Sequence, residues 1–338
     1  MEKFNFDYLL RLPGSPQEQA WIKERLETLS VRESCVLAAA AMRASPQTAS
    51  EAADQLCTLS RYMVRFPIGS YEQLGEWYLR DACQHADELL PYVDLQKMGE
   101  LYEEEHPGLF IGNCYVEYPT QPISPRQETD LPRQDSTWSF KLKLASPTVP
   151  EGVWLRLPDL SGQTFEKSVE LRMVLNELQV QRLDDCTLLE SQCFFPQLED
   201  LAWQYESVEQ LVRDGDTLGC IMDELGGGDM EDFAAALDYE NCHNLRFAMD
   251  IIQNTQCYNY IPRKMLKNHA ETHLRAKSIS ETLIQSGCID LERYAEDLLE
   301  AFGYVQISGD VGYLRRTNQQ FVYDHSPPPP EQSGMTMQ

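Results

Sequence analysis

Between Asp184 and Asp250 the chain carries seventeen Asp and Glu residues against two basic ones, Arg213 and Arg246. A run so charged normally stays unfolded, because it lacks the apolar surface needed to offset the entropy of ordering. Here that surface is present. Leu188, Phe194, Phe195, Leu198, Leu201, Leu211, Leu218, Phe233, Leu237, Leu245 and Phe247 recur through the run. The stretch is therefore expected to fold, and in folding to hold its carboxylates against their mutual repulsion. It contributes more than half of the chain's net charge of −26. A folded anionic surface repels DNA and RNA and favours a basic partner.

With 338 residues the chain is long enough for about two domains, each with its own core. No apolar run approaches the roughly 20 residues of a membrane span. The opening Met-Glu-Lys-Phe-Asn-Phe-Asp lacks the basic region and apolar core of a signal peptide. A cytoplasmic address is expected. The ten cysteines form no Cys-x-x-Cys and no zinc-finger spacing. In a cytosolic chain they read as small buried hydrophobes.

Residues 1–118 read as one α+β unit. Phe4, Phe6, Tyr8 and Leu10 alternate with other residues, predicting a short strand. Ser15, Ser30 and Thr48 each precede a glutamate three positions on, the capping-box spacing, so three helices are predicted in quick succession. Arg61–Phe66 is β-compatible, Tyr71–Leu79 and Leu95–Tyr102 read as helices, and Gly112-Asn113-Cys114 predicts a closing hairpin. Four prolines among polar residues mark 119–137 as an exposed linker. A second α+β unit is expected over 138–318. Trp138–Leu144 alternates as a half-buried strand, and Val153–Pro158 reads as another. Helices are predicted over Val169–Leu178, over Met230–Tyr239 with Asp229 as cap, and continuously over Met265–Ile284. Ile289–Phe302 and the pair Tyr304–Ile307 and Val311–Leu314 close the unit. The Pro-rich tail, 319–338, is expected to be disordered.

The two units end alike. Val93-Asp94-Leu95 through Tyr115-Val116 resembles Ile289-Asp290-Leu291 through Tyr313-Leu314, at an offset of 196 residues that rises to 198 after the turn. Leu-Arg-Leu-Pro also occurs twice, at 10–13 and 155–158. A duplication and a chance likeness both fit these residues.

Features that carry chemistry elsewhere have plainer readings here. His269 and His273 lie four apart on a predicted helix, but Lys264, Lys267, Arg275 and Lys277 crowd the same helix and would repel a metal cation. Gly226-Gly227-Gly228 lacks the Lys-Ser/Thr of a phosphate loop and stands among acids, so it reads as a break between helices. Cys242 and His243 are adjacent and point apart. No catalytic residue, metal ligand or cofactor is expected. The basic stretch Arg263–Lys277 either pairs with acids of this chain or a second copy, or touches a phosphate backbone.

Several segments together resemble the ArdA family of antirestriction proteins. Trp138–Leu144 leads through a loop to Gly152-Val153-Trp154-Leu155-Arg156-Leu157-Pro158, similar to the family's Gly-x-Trp-apolar-x-apolar-Pro opening. Phe233–Leu237 with Glu240, then Leu245, Ala248, Ile251, Asn254 and Tyr258, is similar to its acidic central helices. Ile289-Asp290, Tyr294, Leu298 and Gly312-Tyr313-Leu314 are similar to its Asp-Tyr and Gly-Tyr ending. The likeness covers about residues 138–316.

The resemblance implies an elongated α+β protein, often dimeric, that imitates bent B-DNA. Such a protein occupies the DNA-binding groove of type I restriction–modification enzymes and travels on mobile genetic elements. Duplex DNA presents about one negative charge per 1.7 Å of axis, and carboxylates can compete for the Lys and Arg that meet it. The expected imitators are Asp184, Asp185, Glu190, Glu199, Asp200, Glu206, Glu209, Asp214, Asp216, Asp223, Glu224, Asp229, Glu231, Asp232, Asp238 and Glu240. Neither an enzyme nor a membrane or nucleic-acid binder is expected. The alternative is an acidic adaptor or regulator of a mobile element that binds another basic DNA-handling protein.

Overall fold

The computed structural model describes residues 4–83, 86–120, 138–159, 165, 168–224 and 227–325. The chain is α+β, with many helices and, among the described residues, three small antiparallel sheets of three strands each. Helices α1 (Pro16–Glu27), α2 (Val31–Arg43) and α3 (Ala49–Cys57) precede β1 (Met63–Arg65). Next come α4 (Tyr71–Ala82), α5 (Ala86–Leu89), α6 (Leu95–Glu105), β2 (Gly108–Ile111) and β3 (Cys114–Glu117). Then follow β4 (Phe140–Ala145), β5 (Val153–Leu157), α7 (Val169–Leu178) and β6 (Thr187–Cys193). The remainder is α8 (Pro196–Glu199), α9 (Val208–Asp223), α10 (Gly227–Glu240), α11 (Leu245–Gln253), β7 (Tyr258–Pro262), α12 (Leu266–Ala276), α13 (Glu281–Ile284), α14 (Leu291–Ala301), β8 (Val305–Gln306) and β9 (Gly312–Arg316).

The predicted caps form. Ser15 and Ser30 each make a reciprocal capping box with Glu18 and Glu33, and the Thr48 side chain accepts from the Glu51 amide. Other expectations change. Phe4–Leu10 builds no strand; Asp7–Arg11 is a 3-10 turn, because no neighbouring strand offers it a ladder. The long helix over 265–284 breaks after Ala276, where Ser278 takes φ 62°. Asp229 falls inside the first turn of α10 instead of capping it, since that helix begins at Gly227. The tail is held as far as His325. Asn254 Oδ1 accepts from the amides of Val322 at 2.7 Å and Tyr323 at 3.3 Å, and Asp250 accepts from that of His325. The linker proposal for 121–137 and the disorder proposal for 326–338 fall outside the described residues.

The compact units do not divide at the Pro-rich stretch. The first comprises Met1–Phe194 with Tyr205–Asp216, the second Phe195–Gln204 with Thr217–Gln338. Within the first, the sheet β5-β4-β6 and α7 share a core with the N-terminal helices: Val169 and Met173 pack with Ile22, Val36, Leu56 and Val64. Ser30 bridges to Trp154 of β5. Strand β4 is therefore largely covered, not half-buried: all its residues but Lys143 are buried, with Lys141 5% exposed. Lys141 lies opposite Arg156 in the register, and both are buried. Glu33 answers them. Its Oε1 lies 3.1 Å from Arg156 Nε and 2.5 Å from Arg25 Nη2. Burial opposes the Glu33 charge, but Arg25 and Arg156 outweigh it and hold the carboxyl well below the usual range. Glu170, equally deep, goes the other way: burial pushes it up to about 7 against the pull of Arg32.

The faint sequence repeat is an architectural one. β1, α4, α6, β2 and β3 form a sheet ordered β1-β3-β2; β7, α12, α14, β8 and β9 form one ordered β7-β9-β8. The registers agree as well. Arg65 faces Tyr115 as Ile261 faces Tyr313, and Leu109 faces Val116 as Val305 faces Leu314. The repeat reaches further back than the sequence reading put it. Helices α2 and α3, with the Thr48 cap, match α10 and α11, with the Asn244 cap. Asp94 caps α6 as Asp290 caps α14. The second Leu-Arg-Leu-Pro lies in and just after β5, outside this repeat.

Candidate partner-binding surface

The predicted carboxylates fall into three groups. Asp184, Asp214 and Asp216 serve the fold. Asp184 Oδ1 accepts from Ser207 Oγ at 2.8 Å and the Glu209 amide at 3.3 Å, closing the start of α9. Asp214, buried, accepts from the Tyr205 hydroxyl and the Gln210 amide group, each at 2.8 Å. Asp216 accepts from the Asp159 amide at 3.1 Å, and burial raises its pKa. Each of these three carboxylates is engaged in holding the chain's own structure, which leaves it less free to stand in for phosphate.

A second group is paired with cations. Asp185 meets Arg182 at 3.0 Å, and that hydrogen bond lowers its pKa. Glu190 meets Lys143 across the β4–β6 pair at 2.6 Å, Glu209 meets Arg213 at 3.0 Å, and Glu231 meets Lys264 at 2.9 Å. Glu240 meets Arg316 at 3.0 Å and the Tyr258 hydroxyl at 2.9 Å. Asp232 also has a partner, and the Asp229 side chain lies outside the described atoms.

The third group is Glu199, Asp200, Glu206, Asp223, Glu224 and Asp238. None is buried, and none makes a hydrogen bond or ion pair through its carboxylate with a described residue. All but Glu206 belong to the second unit. Asp223 ends α9 and Glu224 follows it; Asp238 and Glu240 stand in the last turn of α10, and neither helix has a basic residue there. A carboxylate at a helix C-terminus faces the negative end of the dipole, which costs about 0.3–1 kcal/mol. The same unfavourable placement recurs outside the predicted stretch, at Glu104 and Glu105 ending α6 and at Glu300 in the last turn of α14. These three lie outside the 184–250 stretch. Acids in a helix's last turn without a following Lys or Arg were the available signal.

The basic stretch is spent internally. Arg263 pairs with Glu296, Lys267 with Glu292, and Arg275 with both Glu271 and Glu281. With Lys264 on Glu231, most of its charge is cancelled within the second unit. His273 Nδ1 lies 2.9 Å from the Tyr294 hydroxyl, and burial, then His273, lowers the His269 pKa. Among the described residues no three His, Cys, Asp or Glu side chains gather as a metal site. Burial pushes the Cys242 thiol up to about 11, and its Sγ donates to the Asn244 carbonyl at 3.3 Å. A thiol so protonated is a weak nucleophile. Cys35, Cys114, Cys186, Cys193 and Cys257 are buried, as expected of small hydrophobes, whereas Cys220 and Cys288 are exposed. No described helix is long and apolar enough to cross a membrane.

No protein-family model, curated protein or solved structure matches the chain.

Proposed function

We propose that the chain is an ArdA-like DNA mimic, an antirestriction protein that blocks the DNA-binding groove of a type I restriction–modification enzyme. The observation that carries this reading is the set of uncompensated carboxylates in the second unit: Glu199, Asp200, Asp223, Glu224 and Asp238. Stability alone favours cations or neutral residues at the ends of α9 and α10. Acids kept there at a cost are accounted for by a partner that supplies the missing Lys and Arg. Affinity for a DNA groove is dominated by backbone charge, so the mimic needs no base edges and no catalytic group.

The test is inhibition of DNA cleavage by a purified type I enzyme, using a variant with Glu199→Gln, Asp200→Asn, Asp223→Asn, Glu224→Gln and Asp238→Asn. At roughly 0.5–1 kcal/mol for each exposed pair, one substitution costs about two- to fivefold and all five about a hundredfold or more. Wild-type inhibition should also weaken steeply between about 50 and 200 mM salt. A folded fivefold variant that inhibits as well as wild type ends the proposal.

A further inference from the structure

A recess of opposite character lies in the first unit. It has a volume of about 560 Å³ and is lined by Arg65, Phe66, Glu76, Trp77, Arg80 and Arg172, among others. Two of the three arginines have counter-charges. Arg65 Nε donates to Glu117 at 2.7 Å, with its guanidinium 4.4 Å from the centre of the Trp77 ring. Arg80 meets Glu76 at 3.0 Å and Asp87 at 2.8 Å.

Arg172 is different. It forms no ion pair with any described carboxylate. Its Nη2 donates to the Phe66 carbonyl, and its Nε is buried without a hydrogen-bond partner. Its guanidinium lies 5.8 Å from the centre of the Phe66 ring. Burial lowers its pKa, and Asp159 acts against that. A chain with a net charge of −26 has carboxylates in excess, yet among the described residues none closes an ion pair on this cation, which lies beside a recess with only Asp159 acting on it.

The internal repeat separates what the fold supplies from what the sequence adds. The helix positions of Gln73, Glu76, Trp77 and Arg80 recur in α12 as His269, Thr272, His273 and Ala276, which line a recess of about 490 Å³. The helix face comes with the fold. Trp77, Arg80 and Arg172 are particular to the first recess.

We infer that the first recess is a binding site for a small organic anion, with a carboxylate or phosphate group on the Arg172 guanidinium and a flat apolar body against Phe66 and Trp77. An arginine fork matches the oxygens of either group, and a recess of this volume suits one small molecule. The residues are distinct from the acidic surface, so this inference stands or falls independently of the antirestriction reading.

The test is calorimetric titration of the full chain with benzoate, adenosine monophosphate and inorganic phosphate. Saturable one-site binding of benzoate or the nucleotide is expected, with a Kd on the order of 1 mM or tighter. Binding by benzoate alone assigns a carboxylate ligand, and binding by the nucleotide alone a phosphate. Arg172→Gln should weaken it about tenfold, and Arg172→Lys less. Should Arg172→Gln fail to fold, phenylglyoxal modification of wild type gives a second reading: the ligand should protect Arg172 while the exposed Arg182 still reacts. The inference is overturned if no probe saturates wild type, if Arg172→Gln binds as tightly, or if Arg172 is modified equally with and without ligand.

Discussion

Glu170 makes the first unit sensitive to pH in a direction opposite to most acids. Its side chain is buried, and Oε1 accepts from the Arg156 amide at 3.2 Å. Burial is the main reason its pKa rises from 4.5 to about 7; Glu33 and Asp159 add to the rise, while Arg32 and Ser30 oppose it. A pKa raised on folding means that the protonated carboxyl favours the folded state. That contribution is complete below about pH 4.5 and is lost as pH climbs through about 7. At about 1.4 kcal/mol per pH unit, the loss amounts to roughly 3 kcal/mol. Glu170→Gln removes the titration and keeps an oxygen to accept from Arg156. The stability of the variant relative to wild type should therefore rise by about 2.5 kcal/mol between pH 5 and 8. Taking the difference cancels the other carboxylates. Urea unfolding followed by tryptophan fluorescence suits the measurement, because Trp21, Trp77, Trp138 and Trp154 lie in the first unit and only Trp203 in the second. Parallel pH profiles for wild type and variant would refute the reasoning.

Two further substitutions test the packing. A Cβ at Gly75 would lie 1.9 Å from the Leu95 carbonyl oxygen, so Gly75→Ala must part α4 from α6 and should cost about 3 kcal/mol in the same unfolding assay; Glu271→Ala at the equivalent position of α12, half-exposed, should change stability by about 0.5 kcal/mol or less. Asn254→Ala removes the acceptor for the Val322 and Tyr323 amides, costs about 1–3 kcal/mol, and should expose the segment after β9 to faster cleavage in limited proteolysis.

What the sequence disclosed was local. The caps at Ser15, Ser30 and Thr48 each depend on residues three apart, so their spacing is readable without a fold. The fates of Lys141 and Arg156 were not readable, because their counter-ion Glu33 comes from a helix more than a hundred residues earlier. The same limit hid which acids are free. Lys143 and Glu190, or Lys264 and Glu231, meet only after folding, and until then every carboxylate looks equally available. The repeat was faint for a packing reason. Gly75 and Gly99 let α4 and α6 approach backbone to backbone, whereas the second copy has Glu271 and Ala295 there and holds its helices together through side chains such as Leu266 and Leu299. Strand register was kept while the residues that specify helix spacing changed.

That repeat also bears on where the acids stand. In the first copy, the α2 positions of Cys35 and Val36 are fully buried, and α7 is among the elements packed on that helix. Their counterparts on α10 are Glu231 and Asp232, outside the core; Asp238 stands where the first copy has Met42, itself exposed. The described chain after β9 supplies no second α7: it continues without helix or strand to His325. A helix that in one copy contributes apolar surface to a core thus carries carboxylates in the other. Solubility alone calls for polar residues at such positions; Glu231 pairs there with Lys264 and Asp232 also has a partner, whereas Asp238 makes no ion pair with a described residue. In the proposed reading, a basic partner seated on α10 takes the place that α7 holds on α2 and finds charge where the first copy has core. The surface would then present to a partner the helix face that the first copy buries.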